Sequence, residues 1–100
     1  MSEETVDPIV EEANKAIVEV LKEMRAFLLE KNRCYQGSAF KDISFGGKVI
    51  DADTTINVRM TDKLRRLQSS SLSFESFSDT LDDLAGYIII KRALAKLRKS

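Results

Sequence analysis

Apolar residues recur at helical spacing in three stretches of the chain and at no regular spacing between the first two. Ile9, Ala13, Ile17, Val20, Met24, Phe27 and Leu28 share one face of a first helix, the stripe of a core-facing amphipathic helix. Asp7 supplies a cap for its free N–H groups and Pro8 suits its first position, so the helix starts there and ends near Lys31-Asn32. In the second stretch Ile56, Met60, Leu64 and Leu67 share a face from Thr54 or Thr55 to Gln68, with Arg59, Asp62 and Arg66 on the other side, Lys63 at the edge and Ser69-Ser70-Ser71 ending the helix. The third runs from Ser73 as N-cap towards Lys99. Phe74, Phe77, Leu81, Leu84, Ala85 and Ile88 form its expected core face. Its opposite side begins acidic, with Asp79 and Asp83, and turns apolar through Gly86, Tyr87, Ile90, Leu94 and Leu97. A helix apolar on two faces is buried on both, and the second face is expected to meet another protomer.

Residues 33–53 show no helical period. They carry Gly37, Gly46, Gly47 and the rings of Tyr35, Phe40 and Phe45, with Lys48-Val49-Ile50 as a candidate short strand. A loop of this length in a small domain is often functional, and a lid, a hairpin and an oligomer arm all suit it. The expectation is an all-α fold: a hairpin or bundle of about three helices in one domain spanning residues 1–100, with residues 1–7 flexible, residues 33–53 a functional or interface loop, and the whole a homo-oligomer.

Composition narrows the chemistry. The 100 residues include no histidine and no tryptophan, which removes Ser-His catalysis, His-ligated zinc and a histidine pH switch. The single cysteine, Cys34, forms no disulfide within the chain, and it reads as a loop residue rather than a nucleophile, since no histidine activates it. No apolar run approaches a membrane span of about 20 residues, the acidic N-terminus lacks a signal-peptide pattern, and a cytoplasmic location is expected.

The 16 bases and 16 acids cancel, but in blocks. Residues 1–30 hold eight acids and three bases, residues 31–70 four acids and eight bases, residues 71–90 four acids and no base, and residues 91–100 five bases. Such alternation suits helices or protomers that pair with one another and argues against duplex DNA as a partner.

Three groups could carry chemistry. Asp79 and Asp83, four residues apart, lie on one helix face and with Glu75 could hold Mg²⁺, or could pair with bases of the second helix. Arg59, Lys63 and Arg66 offer guanidinium forks and an ammonium for phosphate, or form a solvated, ion-paired face with Asp62. Lys31, Asn32, Tyr35 and Ser38 supply charge, an amide, a ring and a hydroxyl within eight residues, which suits a phosphorylated nucleotide and equally suits a helix end followed by a turn.

Three segments taken together carry a resemblance: Lys31-Asn32-x-x-Tyr35-x-Gly37-Ser38-Ala39-Phe40, then Ile56-x-Val58-Arg59-x-x-Asp62-Lys63-x-x-Arg66-Leu67, then Glu75-Ser76-x-x-Asp79-Thr80-Leu81-x-Asp83-Leu84-Ala85-Gly86-Tyr87. In order and spacing they resemble the small helical phage and prophage proteins called nucleotide modification associated domain proteins. That family is distantly similar to the all-α MazG-like nucleoside triphosphate pyrophosphohydrolases. The resemblance spans residues 28–90 and implies a nucleotide-related role in the cytoplasm of an infected or lysogenic bacterium. It also implies a helical homo-oligomer in which Lys31, Asn32, Tyr35, Arg59, Asp62, Lys63, Arg66, Asp79 and Asp83 form the polar set. The related segment often reads Lys-Asn-x-Asp-Tyr-Gly; here Cys34 replaces the acid and Gln36 stands where the glycine falls. The hydrolases' Glu-x-x-Glu pair is absent from the first helix, where Glu19 and Glu23 are four apart, and the third has Glu75-x-x-x-Asp79 rather than Glu-x-x-Asp.

The first expectation is therefore a binder of a phosphorylated nucleotide, acting on nucleotide pools or sequestering a nucleotide defence signal. A Mg²⁺-dependent nucleoside triphosphate pyrophosphohydrolase is the alternative, and a structural or protein-interaction module the third reading.

Overall fold

A computed structural model of the chain describes residues 7–69 and 74–99. The elements run α1 (Pro8–Cys34), a short 3-10 turn (Ser38–Phe40), β1 (Ile43–Phe45), β2 (Lys48–Ile50), α2 (Ala52–Leu67) and α3 (Phe74–Lys99). The described residues are thus mainly helical, with three α-helices and a two-stranded antiparallel sheet. It divides into two compact units, Met1–Lys31 and Asn32–Ser100.

The first unit carries α1 as far as Lys31. Asp7 caps it as expected: its Oδ1 accepts the Ile9 amide at 3.0 Å and its carbonyl accepts the Val10 amide at 2.9 Å, while Pro8 takes the position that needs no N–H. The helix runs past Asn32 to Cys34, so Cys34 closes a helix rather than sitting in a loop. Its end is a Schellman turn: the Gly37 amide donates to the Asn32 carbonyl at 2.9 Å and the Gln36 amide to the Arg33 carbonyl at 3.1 Å. This turn requires a left-handed residue after the cap, and Gln36 takes it at φ 54°. Glycine fills that place without a Cβ penalty. Gln36→Gly is expected to raise the unfolding free energy by about 0.5–1 kcal/mol; a urea midpoint that stays put or falls would contradict the turn assignment.

Residues 33–53 are not one structureless loop. After the Schellman turn come the 3-10 turn and then a β-hairpin pairing Ile43 with Ile50, Ser44 with Val49 and Phe45 with Lys48. Gly46 and Gly47 connect its strands at φ 60° and 77°, the double positive φ that a two-residue hairpin turn of the favoured twist demands. Every element here is three residues long, too short to display a period, which is why the stretch reads as aperiodic.

Helix α2 begins at Ala52, two or three residues before the expected start, because Asp51 is its cap. Asp51 Oδ1 accepts the Thr54 amide at 2.7 Å, and its carbonyl accepts the Thr55 amide at 3.1 Å. Asp42, from the strand side of the hairpin, adds a second carboxylate there by accepting the Ala52 amide at 3.0 Å. Two carboxylates at a helix N-terminus satisfy otherwise orphaned donors and complement the dipole. They also tie the base of the hairpin to the helix. At the other end, the Gln68 amide bonds back to Leu64 and Arg65. Ser70 and Ser71, expected to end α2, and Ser73, the expected cap of α3, lie outside the described residues.

The second unit is organised around α2 and α3. Ion pairs fix their sense: Asp53 near the start of α2 meets Lys91 late in α3, and Lys63 late in α2 meets Asp83 early in α3, so the helices run antiparallel. Ala52, Ile56 and Leu94 form the buried centre, with Phe40, Met60, Tyr87 and Ile90 packed around it. The 3-10 turn reaches this core through Phe40. On α2 the expected face is kept in part: Ile56 is buried, Met60 and Leu67 are half-buried, and Leu64 is exposed. On α3 the expected core face is kept only in part: Leu84 and Ala85 are half-buried, Phe77, Leu81 and Ile88 are exposed, and the Phe74 side chain lies outside the described residues. The side expected to meet another protomer instead packs within the chain: Gly86 and Leu94 are buried and Tyr87 and Ile90 half-buried against the core, with Thr80 buried beside them, while Leu97 is exposed. The Thr80 hydroxyl is tolerated there because it donates to the Ser76 carbonyl at 2.6 Å.

Candidate functional site

Lys63, Arg59 and Arg66 come from α2, and Asp79 and Asp83 from α3. Lys63 Nζ stands 3.0 Å from Asp83 Oδ2, so these two candidates are joined as an interhelical ion pair. By helical spacing of about 100° per residue, Arg59, Asp62 and Arg66 project from the flank of α2 next to Lys63, and Asp79 from the flank of α3 next to Asp83. The Lys63–Asp83 bridge therefore marks the side of the pair on which both charged sets stand. Arg59, Asp62, Arg66 and Asp79 are exposed, and among the described residues none of them forms an ion pair. On the opposite flank Lys91 donates to Asp53 at 2.8 Å and to Asn57 at 2.7 Å. Sequence spacing did not single out this clamp, because its partners lie 34 and 38 residues apart.

The Lys31–Ser38 segment is the end of α1 and the turn after it. Lys31 Nζ lies 4.6 Å from the centroid of the Phe27 ring, a cation–π distance. Asn32 contributes its backbone carbonyl to the Schellman turn, and Tyr35 accepts the Ser38 amide at 3.1 Å through its own carbonyl. The Tyr35 ring is 65% exposed and the Ser38 side chain is exposed as well. Lys31 belongs to the first unit; Asn32, Tyr35 and Ser38 belong to the second.

For a metal, the described donors are few. Asp79 and Asp83 offer two carboxylates, one of them held by Lys63; the Glu75 side chain lies outside the described residues. Among the described residues no group of three or more Asp, Glu, Cys or His could hold an ion, and no described helix is long and apolar enough to cross a membrane.

The Asp51 carboxylate departs from its ordinary acidity. The Thr54 backbone N–H, and then the Thr54 side chain, hold the Asp51 carboxyl below its usual value of 3.8. A depressed carboxylate contributes stability above the unfolded-state pKa and loses it as pH falls through the folded value. The cap is therefore expected to weaken only below about pH 4. Asp51→Asn keeps an acceptor for Thr54 but cannot titrate; its melting temperature should fall less steeply than that of the parent between pH 4 and pH 2, and equal slopes would remove Asp51 from the account.

No protein-family model, no curated protein and no solved structure matches the chain.

Proposed function

We propose that the protein is a small helical nucleotide-binding protein of the phage type, working in the bacterial cytoplasm on a phosphorylated nucleotide. The observation that carries this reading is the pair of exposed guanidinium groups, Arg59 and Arg66. They stand on one flank of α2 with no ion-pair partner among the described residues. A guanidinium fork matches phosphate oxygens, and an unengaged one surrenders no internal bond to take them. Lys63 stands beside them, and the exposed Tyr35 ring offers a face on which a base can stack.

Mg²⁺ enters this reading as a companion of the nucleotide's phosphates, since the described carboxylates do not make a complete site. Hydrolysis is the alternative, resting on Asp79 and Asp83 lying on one helix face. A structural or protein-interaction role is favoured by one observation: Lys63 and Asp83 already satisfy each other across the helix pair. The same reading has the protein assembling with copies of itself, supported by the apolar side chains that α3 leaves exposed, Phe77, Leu81, Ile88 and Ile89.

A thermal-shift screen with mono-, tri- and cyclic nucleotides, with and without Mg²⁺, tests the function. At a hundredfold excess over Kd a bound ligand adds about 2.7 kcal/mol to stability. A raised melting temperature with intact ligand is the expected result. A raised one with cleaved ligand, read by chromatography, makes the protein a pyrophosphohydrolase, and an unchanged melt across the panel overturns nucleotide binding.

A further inference from the structure

Helix α1 has a seam. Val10, Ile17 and Met24 recur every seven residues, and Ala13, Val20 and Phe27 recur every seven residues three positions later. This is an unbroken run of three apolar a/d heptads, the repeat that lets two helices wind together with knobs in holes. Lys31 occupies the next a position and ends the run. Val10, Ile17, Val20 and Phe27 are 46%, 54%, 54% and 45% exposed, Ala13 is exposed and Met24 half-buried. No residue of α1 is buried. A helix rich in valine and isoleucine gains most of its stability from packing its apolar face, not from intrinsic propensity.

We propose that α1 pairs antiparallel with α1 of a second copy of this chain. Two features of the sequence select that occupant and that direction. The first is side-chain size. An antiparallel two-fold centred between Val18 and Glu19 sets Val10 against Phe27, Ala13 against Met24 and Ile17 against Val20, each pairing occurring twice. Every layer then joins a smaller residue to a larger one or two of similar size, which fills space evenly. A parallel pair would stack Ala13 on Ala13 and Phe27 on Phe27, leaving one layer thin and another crowded.

The second feature is charge. Residues 8–21 carry three acids (Glu11, Glu12, Glu19) and one base (Lys15), whereas residues 22–34 carry four bases (Lys22, Arg25, Lys31, Arg33) and two acids (Glu23, Glu30). Antiparallel pairing lays each acidic half along the partner's basic half. Parallel pairing lays like on like, which is unfavourable. The two helix dipoles also oppose in the antiparallel arrangement.

This proposal deepens the self-assembly part of the functional reading by naming the surface and its direction. It is independent of the nucleotide part, which the thermal-shift screen tests separately.

Sedimentation of the full chain over a range of concentrations, together with a distance between spin labels on Cys34, tests it. At 1.5 Å per residue the antiparallel seam separates the two Cys34 positions by about 45 Å, against about 10 Å for a parallel pair. The expected results are a dimer in the parent, a label separation near the longer value, and monomers for Ile17→Asp combined with Val20→Asp, which puts four carboxylates in the two central layers. A parent that stays monomeric throughout means the seam is covered within its own chain and overturns the proposal. So does a dimer that survives the double substitution, which would place the contact elsewhere, such as the outer face of α3. A dimer with the short label distance overturns the direction, and this readout needs no substitution in the seam.

Discussion

Replacing Ile56 by alanine is expected to lower the unfolding free energy by about 3 kcal/mol. Ile56 is 2% exposed and is the largest side chain described as fully buried. Among the described residues its neighbours in the centre are Ala52 and Leu94, with Phe40, Met60, Tyr87 and Ile90 around them. The surroundings of a vacated side chain relax only in part, and the cavity term adds to the lost transfer energy. A typical native protein holds only about 5–15 kcal/mol in reserve, so the loss should appear as a large fall in the urea midpoint. Leu64 supplies the control. It shares the spacing of Ile56 along α2 but is 47% exposed, and Leu64→Ala should cost under about 1 kcal/mol. Equal losses at the two positions would mean that α2 does not present the face assigned to it.

The double substitution Arg59→Ala and Arg66→Ala should separate ligand binding from folding. Both side chains are exposed and neither holds an ion pair among the described residues, so the unliganded protein should keep its stability within about 0.5 kcal/mol. The ligand-dependent rise, about 2.7 kcal/mol at a hundredfold excess over Kd, should shrink to a small remainder, because two charge-assisted contacts to phosphate are gone. Asp83→Asn is the informative contrast. It breaks the Lys63–Asp83 bridge and frees Lys63, so it should lower the unliganded melt slightly while leaving phosphate binding intact or stronger. If the arginine variant lowers the unliganded melt and the ligand response together, the flank is structural, as the interaction-protein reading holds.

Helix α1 was legible because its cap is local. Asp7 and Pro8 need only their own neighbours to start it. The expectation that its apolar stripe faces the core is not met: no residue of α1 is buried, and Ile9, Ile17, Val20 and Phe27 are exposed. Its last turn was harder to read: the Schellman turn is set by backbone bonds from Gln36 and Gly37, and Gln36 is an uncommon residue for the left-handed place it takes. The hairpin was visible only as a pair of glycines and a candidate strand, because pairing across a two-residue turn leaves no period to detect. Helix α2 was legible from its apolar spacing, which starts at Ile56, whereas its true start at Ala52 is set by the Asp51 cap. The candidate site was legible as residue types on helix faces. That Lys63 and Asp83 would meet, and that Lys91 would reach Asp53 and Asn57, depends on how two separate helices lie against each other.

Helix α3 marks the boundary most clearly. The residues of 74–99 favour a helix, apolar on two of its faces. Periodicity favoured the Phe77–Leu81–Ile88 face over the Tyr87–Ile90–Leu94 face, because the latter side begins with Asp79 and Asp83. The tertiary structure turned the second inwards, against Ala52 and Ile56. Asp83 and Lys91 flank that face, and turning it towards α2 brings each within 3.0 Å of an opposite charge. Helices and their local caps are decided by neighbours within a few residues, so the chain alone specified them. The orientation of a helix apolar on two faces is decided by groups some 20 to 40 positions away, and only folding brings those together.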